Sequence, residues 1–424
     1  MSAEVKNKKA VSGVLLLSLI AAIYYFANLQ KVIIPGAAFD ELQSAFQIDA
    51  AGVTRLGAIF LGVYAFSQLI IGLLADRFGG ARVIIVGGLL FCAGSLLSSF
   101  TGSLTLLYVC RFMTGFGAAS IYLSLVKEIS RISPQNMPMI LGIVTIVGYS
   151  GSITGASPFI AGVDKFGYFY MVFAAGVAAF IFYVLYTITA LQDRFPMVKK
   201  EVKFSISAYW AVCRNRQNCA LMIPVGISFG TYFALQSTVG KKFLEDFCAL
   251  SGNIAGAVMT ISMVIAALNG FLVANICRFT GNYRRPFILF SAFGCLGGAA
   301  MIFSGVLCCT GAWLPIAGLF IMAFAGNISP IYVALIKESN PDTRFGTAVC
   351  VGNCFAYGVS AIAGGCAGKL MDLYAPQIVN GVKIYGRSSY LLVFGVLVIA
   401  GVIAALLSLM VKESRGEDIS KEFE

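Results

Sequence analysis

Apolar residues come in long unbroken runs parted by short polar clusters, and this alternation repeats from one end of the chain to the other. A helix that crosses a bilayer takes about 20 mostly apolar residues, each advancing it about 1.5 Å. Windows of that length occur at 11–34, 53–74, 83–101, 104–126, 138–161, 168–190, 219–240, 254–276, 286–308, 313–336, 345–367 and 389–411. The pattern predicts an all-α membrane protein with twelve spanning helices. In hydrocarbon each backbone N–H and C=O must find its partner inside the protein, and a helix meets that demand within one segment.

A second pattern lies over the first. Ile121-Tyr122-Leu123-Ser124-Leu125-Val126-Lys127-Glu128 parallels Ile331-Tyr332-Val333-Ala334-Leu335-Ile336-Lys337-Glu338. Asn28-Leu29-Gln30 followed by Phe39-Asp40-Glu41 parallels Ala234-Leu235-Gln236 followed by Leu244-Glu245-Asp246. The longer match sets the fourth span against the tenth, as a six-plus-six duplication requires. It predicts an N-terminal six-helix bundle over 1–190, a polar, basic linker over 191–218 and a C-terminal six-helix bundle over 219–424.

Charge orients this arrangement. The chain carries 30 Lys+Arg against 19 Asp+Glu, and twenty-one of the basic residues fall in the segments on the N-terminal side of the bilayer. That bias places both termini in the cytoplasm and leaves no basic surface for a nucleic acid. Residues 11–34 follow a basic tail as a signal peptide would, but the run is long and no small-x-small cleavage site ends it, so it reads as the first span. The sequence has no histidine, and its 12 cysteines are scattered without a C-x-x-C pair. Neither a metal site nor a cofactor is expected, and without a nucleophile motif or clustered buried acids the chain does not read as an enzyme.

The most specific stretch is Gly72-Leu73-Leu74-Ala75-Asp76-Arg77-Phe78-Gly79-Gly80-Ala81-Arg82, in the tight turn between the second and third spans. Gly72 allows close helix approach, Gly79 suits a turn of positive φ, and Asp76 can meet the positive end of a helix while Arg77 and Arg82 stay in the water layer. This loop resembles the Gly-x-x-x-Asp-Arg-x-Gly signature of the major facilitator superfamily. The resemblance implies that superfamily's fold, two pseudo-symmetric six-helix bundles, with Gly72, Asp76, Arg77, Gly79 and Arg82 serving a conformational switch. The repeat copy reads Arg278-Phe279-Thr280-Gly281-Asn282-Tyr283-Arg284-Arg285, with Arg278 where Asp76 stood, so the carboxylate contact belongs to the N-terminal half alone.

Polar residues inside spans mark candidate solute contacts. Tyr24, Asn28 and Lys31 share one face of the first span, which reads either as a helix lining a wet cavity or as a lysine snorkelling to the interface. Arg111 opens Arg111-Phe112-Met113-Thr114-Gly115-Phe116-Gly117-Ala118-Ala119, similar to the superfamily's fourth-helix motif; it reads either as an anion contact or as a structural lock on helix 1. Tyr232 and Gln236 on helix 7, with Asn353 and Tyr357 on helix 11, offer neutral contacts, and Tyr64 and Gln68 form a like pair on helix 2. Lys241 and Lys242 are expected outside the bilayer. Helix 5 carries Gly148, Gly151, Gly155 and Pro158, which only partly resembles the motif common in antiporters. No Asp or Glu lies mid-span, so a pocket whose charges are Lys31 and Arg111 should favour anions or zwitterions.

A local resemblance narrows this further. Gly364-Gly365, Gly368-Lys369-Leu370-Met371-Asp372 and Asn380-Gly381-Val382-Lys383-Ile384-Tyr385 are similar to bacterial sugar-phosphate and organic-anion permeases and to lysosomal dipeptide exporters. The resemblance implies secondary active or facilitative transport of a small organic acid, amino acid, short peptide or sugar phosphate by alternating access. The competing expectation is a transporter-shaped sensor that binds such a solute without net transport. The implied setting is a bacterial inner membrane and the implied form a monomer whose partners are solute and lipid.

Overall fold

The computed structural model describes residues 3–192, 206–379 and 382–422. In chain order the helices are α1 Ala3–Val32, α2 Phe39–Phe46, α3 Ala50–Phe78, α4 Gly80–Leu97, α5 Leu104–Ile132, α6 Met137–Thr154, α7 Ser157–Phe166 and α8 Tyr168–Gln192. After the linker come α9 Ile206–Arg214, α10 Arg216–Ala234, α11 Gly240–Asp246, α12 Gly252–Phe279, α13 Arg285–Cys308, α14 Trp313–Gly326, α15 Ser329–Glu338, α16 Asp342–Met371 and α17 Arg387–Ser408. A short antiparallel hairpin, β1 Gln377–Val379 with β2 Val382–Ile384, pairs Ile378 with Lys383 between α16 and α17.

Among the described residues, 11 helical segments are long and apolar enough to cross a membrane, and the pair α6–α7, bent by 40°, makes the twelfth. The expected span over 138–161 is thus broken rather than continuous. Pro158 near the start of α7 cannot donate the backbone bond that would carry α6 onward. Of the linker expected over 191–218, residues 193–205 lie outside the described residues; the described part is chiefly α9 and the start of α10.

Two six-helix halves pack side by side, and small residues set how closely their helices cross. A Cβ on Gly117 of α5 would sit 2.5 Å from the Gly87 carbonyl of α4, and one on Gly318 of α14 would sit 2.5 Å from the Gly298 carbonyl of α13. The same glycine-on-glycine crossing therefore holds the same helix pair in each half, which is how close backbone packing replaces the missing hydrophobic drive in lipid. Gly151 does the same between α6 and α1, its Cβ position lying 2.2 Å from the Tyr25 carbonyl. The helix-5 glycines are thus packing residues. In the turn after α3, Gly79 has φ +86° and donates to the Ala75 carbonyl, and Gly281 in the repeat copy has φ +79°.

The halves meet along α3 and α16 and where α1 and α10 break. Each of these two helices loosens into one wide turn, Ile33–Ala37 and Leu235–Val239, followed by a short helix. Gly36 packs directly on the second break, its Cβ position 2.7 Å from the Ser237 carbonyl. With twelve spans both termini lie at one end of the molecule, here called the termini end; the two breaks meet toward the other, the far end.

Candidate functional site

A cavity of about 220 Å³ lies between the halves, lined from α1, α5 and α6 on one side and α10, α14–α15 and α16 on the other. Six of the expected solute contacts line it: Tyr24, Asn28, Tyr64, Tyr232, Asn353 and Tyr357. Asn28 donates to the Tyr24 carbonyl at 2.9 Å, one turn back, which turns its amide oxygen toward Lys31. The Lys31 ammonium donates to that oxygen at 3.2 Å and lies 4.1 Å from the Tyr64 ring centre and 5.2 Å from that of Tyr357. It is 3% exposed, and among the described residues no carboxylate pairs with it. Tyrosine faces and one amide oxygen partly compensate the buried cation.

Tyr357 stands edge-on to Tyr64 at 4.8 Å and to Phe229 at 5.3 Å, forming an aromatic floor against the lysine. Asn353, one turn earlier on α16, donates to Gln68 of α3 at 3.3 Å and so bridges the halves. Tyr232 turns its hydroxyl onto the Ser262 carbonyl of α12 and offers the cavity its ring.

Lys31 itself is not part of the cavity wall but stands behind Asn28, Tyr64 and Tyr357, and two further expected contacts lie elsewhere. Gln236 does not line the cavity: it sits in the break after α10 and donates to the Met259 carbonyl at 3.1 Å. Arg111 is 1% exposed and also off the cavity wall. Its guanidinium donates to the carbonyls of Leu56 (3.3 Å), Gln30 (3.3 Å) and Ile34 (2.8 Å) and stacks 4.3 Å from the Phe60 ring. The physical reason is the break itself. Ile34 has non-helical angles, so carbonyls at the end of α1 lose their helical partners and a fixed fork of donors takes them up.

Sequence reasoning passed over Tyr122, Tyr149, Asn327 and Tyr332, all of which line the cavity. Asn327 lies where α14 gives way to α15 and donates to the Tyr149 hydroxyl at 2.5 Å across the halves and to the Ala266 carbonyl at 2.8 Å. Tyr122 stacks on Tyr24 at 5.3 Å, while the buried Tyr332 hydroxyl has no hydrogen-bond partner among the described residues. The signal for two of them was present: Tyr122 and Tyr332 hold the same place in the eight-residue repeat.

Lys241 and Lys242, expected outside the bilayer, are buried within the fold. Lys242 is 1% exposed and pairs with Asp40 of the other half at 2.7 Å and with Asp246 at 2.8 Å. Around it the far end is latched. Asp372, at the end of α16, accepts from the backbone N–H of Ala50 (3.1 Å) and Ala51 (2.7 Å), the first residues of α3. Tyr385 donates its hydroxyl to Asp372 at 3.0 Å and its backbone N–H to Asp246 at 2.9 Å. Burial pushes the Tyr385 hydroxyl well above the usual phenol range, so it remains a donor. Lys383 reaches the Ile48 carbonyl at 2.9 Å. Of the Asn-Gly-hydrophobic-basic run, Asn380 and Gly381 lie outside the described residues.

At the termini end, the carboxylate on the α4 N-terminus is Glu128, which accepts from Ala81 at 3.1 Å and pairs with Arg131 at 2.7 Å. The Asp76 side chain lies outside the described residues. Gly72 packs toward Cys350 of α16, and Arg77 and Arg82 are exposed. In the second half Arg284 pairs with Glu338 at 3.0 Å, and Glu413 accepts from the N–H of Arg284 and Arg285 at the start of α13.

Comparison with known proteins fits this arrangement. A mutant form of the nucleoside transporter NupG superposes with a TM-score of 0.69, covering 93% of this chain and 99% of that one at 15% identity, which speaks to the fold alone. Human monocarboxylate transporter 2 is 29% identical over 122 residues (28% of this chain, 25% of the relative), and rat monocarboxylate transporter 13 is 33% identical over 117 residues (27% of each). SauU of Cupriavidus necator, described as a probable sulfoacetate transporter, is 28% identical over 122 residues, 29% of this chain and 27% of that relative. The matched stretches thus span about a quarter of the length of these relatives. The family described as Major Facilitator Superfamily matches residues 14–365. A match of that extent, on two six-helix halves closed around one cavity, makes this chain a member of the Major Facilitator Superfamily.

Proposed function

We propose that the protein is a secondary transporter of a small organic monoanion, a carboxylate or sulfonate, moved by alternating access with Lys31 as the anion anchor. The observation that carries this is a buried ammonium beside the central cavity with aromatic faces and an amide around it and, among the described residues, no carboxylate paired to it. A buried charge is costly in lipid, and an anion arriving from the cavity lowers that cost. The cavity, about 220 Å³, is below the 300–1,000 Å³ of sites for drug-sized ligands. Its size supports a compact acid over a nucleoside or an oligosaccharide. Two relatives bear names for anionic cargo, monocarboxylate and sulfoacetate, and agree with this choice.

Asn28, Tyr24, Asn353 and Tyr357 orient the solute, and Arg111 acts at a distance by holding the broken end of α1. With the termini in the cytoplasm, as the charge bias indicates, the latched far end makes this the inward-facing state. Asp76, Gly72, Gly79, Arg77 and Arg82 then form the element that closes the termini end in the opposite state. A bacterial inner membrane and a monomer complete the reading.

The test is flux in proteoliposomes loaded with small carboxylates or sulfonates, each set against its neutral amide of equal size. Counterflow of the acids, absence of flux for the amides, and loss of both binding and flux in Lys31→Gln are expected. A neutral amide carried as well as its acid would end the anion reading. Saturable binding without any flux would instead make the protein a sensor.

A further inference from the structure

A second cavity, about 670 Å³, lies at the termini end between the linker helix α9 and the C-terminal half. Its walls are Arg214 at the end of α9, Asn215 and Arg216 at the start of α10, Asn340 and Arg344 at the α15–α16 junction, and the tail at Ser420 and Glu422. It is built, not incidental. Asn218 and Asn340 exchange two amide hydrogen bonds of 2.8 Å, which pins α10 to the loop before α16. Asn215 caps α10 by accepting from Asn218 at 3.1 Å. The tail is held by Ile419 donating to the Glu338 carbonyl at 2.8 Å.

Charge is what this cavity leaves unfinished. Among the described residues, Arg214, Arg216 and Arg344 make no ion pair, and the lining carboxylate, Glu422, is engaged by Lys412. Other arginines in the same water layer are matched: Arg131 by Glu128 and Arg284 by Glu338. Two helices also start at the cavity, α10 at Arg216 and α16 at Asp342, and among the described residues no side chain caps the second. Three guanidinium forks and two helix N-termini around one hollow match a multiply charged, multi-oxygen anion.

We propose that this cavity is a binding site for a phosphate group, supplied by the headgroup of an acidic phospholipid. The lipid source is favoured by Trp210, one turn before Arg214 on α9 and 69% exposed, since exposed tryptophans settle at the headgroup level of a bilayer. Occupancy has a mechanical consequence. α9 reaches the other half through the Tyr209 hydroxyl, which donates to the Leu69 carbonyl of α3 at 2.8 Å. A phosphate gripping Arg214 therefore stiffens the strap that joins the halves at this end.

Thermal unfolding of the full-length protein in neutral detergent tests the site with three probes: dioctanoyl phosphatidylglycerol, dioctanoyl phosphatidylcholine and inorganic phosphate. The acidic lipid is expected to raise Tm by several degrees, reduced by high salt, while the zwitterionic lipid leaves it unchanged. Replacing Arg214, Arg216 and Arg344 together by Gln should abolish the shift. Arg216→Gln alone, on the exposed rim, should weaken it and guards against a folding failure of the triple variant. An equal, arginine-dependent shift with inorganic phosphate alone keeps the phosphate site and overturns its lipid source. No shift with either probe, or a shift that survives in the triple variant, overturns the site.

Discussion

Asp372→Asn should open the far end without unfolding the protein. Asp372 belongs to the C-terminal half, yet its two oxygens accept from Ala50 and Ala51 at the start of α3 in the N-terminal half, at 3.1 and 2.7 Å. It is a charged cap on a helix that moves away from it when the halves rock. An asparagine keeps one carbonyl oxygen and turns an NH₂ toward the other N–H, so one bond is lost along with the charge that complements the helix dipole. A carboxylate at a partly buried helix N-terminus is worth about 1–2 kcal/mol, and a hydrogen bond to a charged group about 1.5–3 kcal/mol. Because Tyr385 and the Lys242–Asp40 pair remain, a net loss of about 1–2 kcal/mol from the closed state is expected, a shift of about 5–30-fold in its population. The readout is Ser237→Cys in a cysteine-free background, a position 1% exposed where the two breaks touch. Its alkylation by an impermeant maleimide from the far side should quicken by that factor, while Tm falls by a few degrees at most. An unchanged alkylation rate in a normally folded variant would refute the latch.

Other outcomes follow from the same contacts. Lys31→Gln should weaken anion binding by about 2–5 kcal/mol, the range for a truncated buried charge contact, seen as a rise of at least thirtyfold in the half-saturating concentration in counterflow. Arg111→Lys should lower Tm, because one ammonium cannot serve the carbonyls of Leu56, Gln30 and Ile34 together; the loss is about 1–3 kcal/mol, and solute affinity of the folded fraction should hold. Gly117→Ala should destabilise the N-terminal half and lower expression, since its Cβ would meet backbone at 2.5 Å. Burial alone would raise the pKa of Glu413, but N–H groups of Arg284, Arg415, Arg285 and Ser414 outweigh it and hold the carboxyl below the usual range. Its stabilisation is therefore present above the ordinary carboxylate value and lost as pH falls through the lower folded one, so amide exchange at the start of α13 should rise only in that acid window, and Glu413→Gln should show it at pH 7.

The sequence by itself determined the spans, their number, the two-fold repeat and the turn at Gly79, because each rests on local quantities: twenty apolar residues in a row, eight matched positions, one glycine where φ must be positive. It also marked α1 as the polar helix, and Tyr24 and Asn28 do line the cavity, with Lys31 bonded to Asn28 behind them. Only the tertiary structure decided how each buried cation is satisfied. Lys31 and Arg111 read alike as lone charges in apolar helices, yet the break in α1 frees carbonyls that the Arg111 fork fills, while Lys31 meets ring faces and one amide. That division depends on the crossing of α5 with α1 and α3, which no single helix encodes. The same holds for Lys242, which the packing of α2 against α11 sets between Asp40 and Asp246. Periodicity tells which residues avoid lipid; which neighbour then satisfies each of them is fixed only when the helices cross.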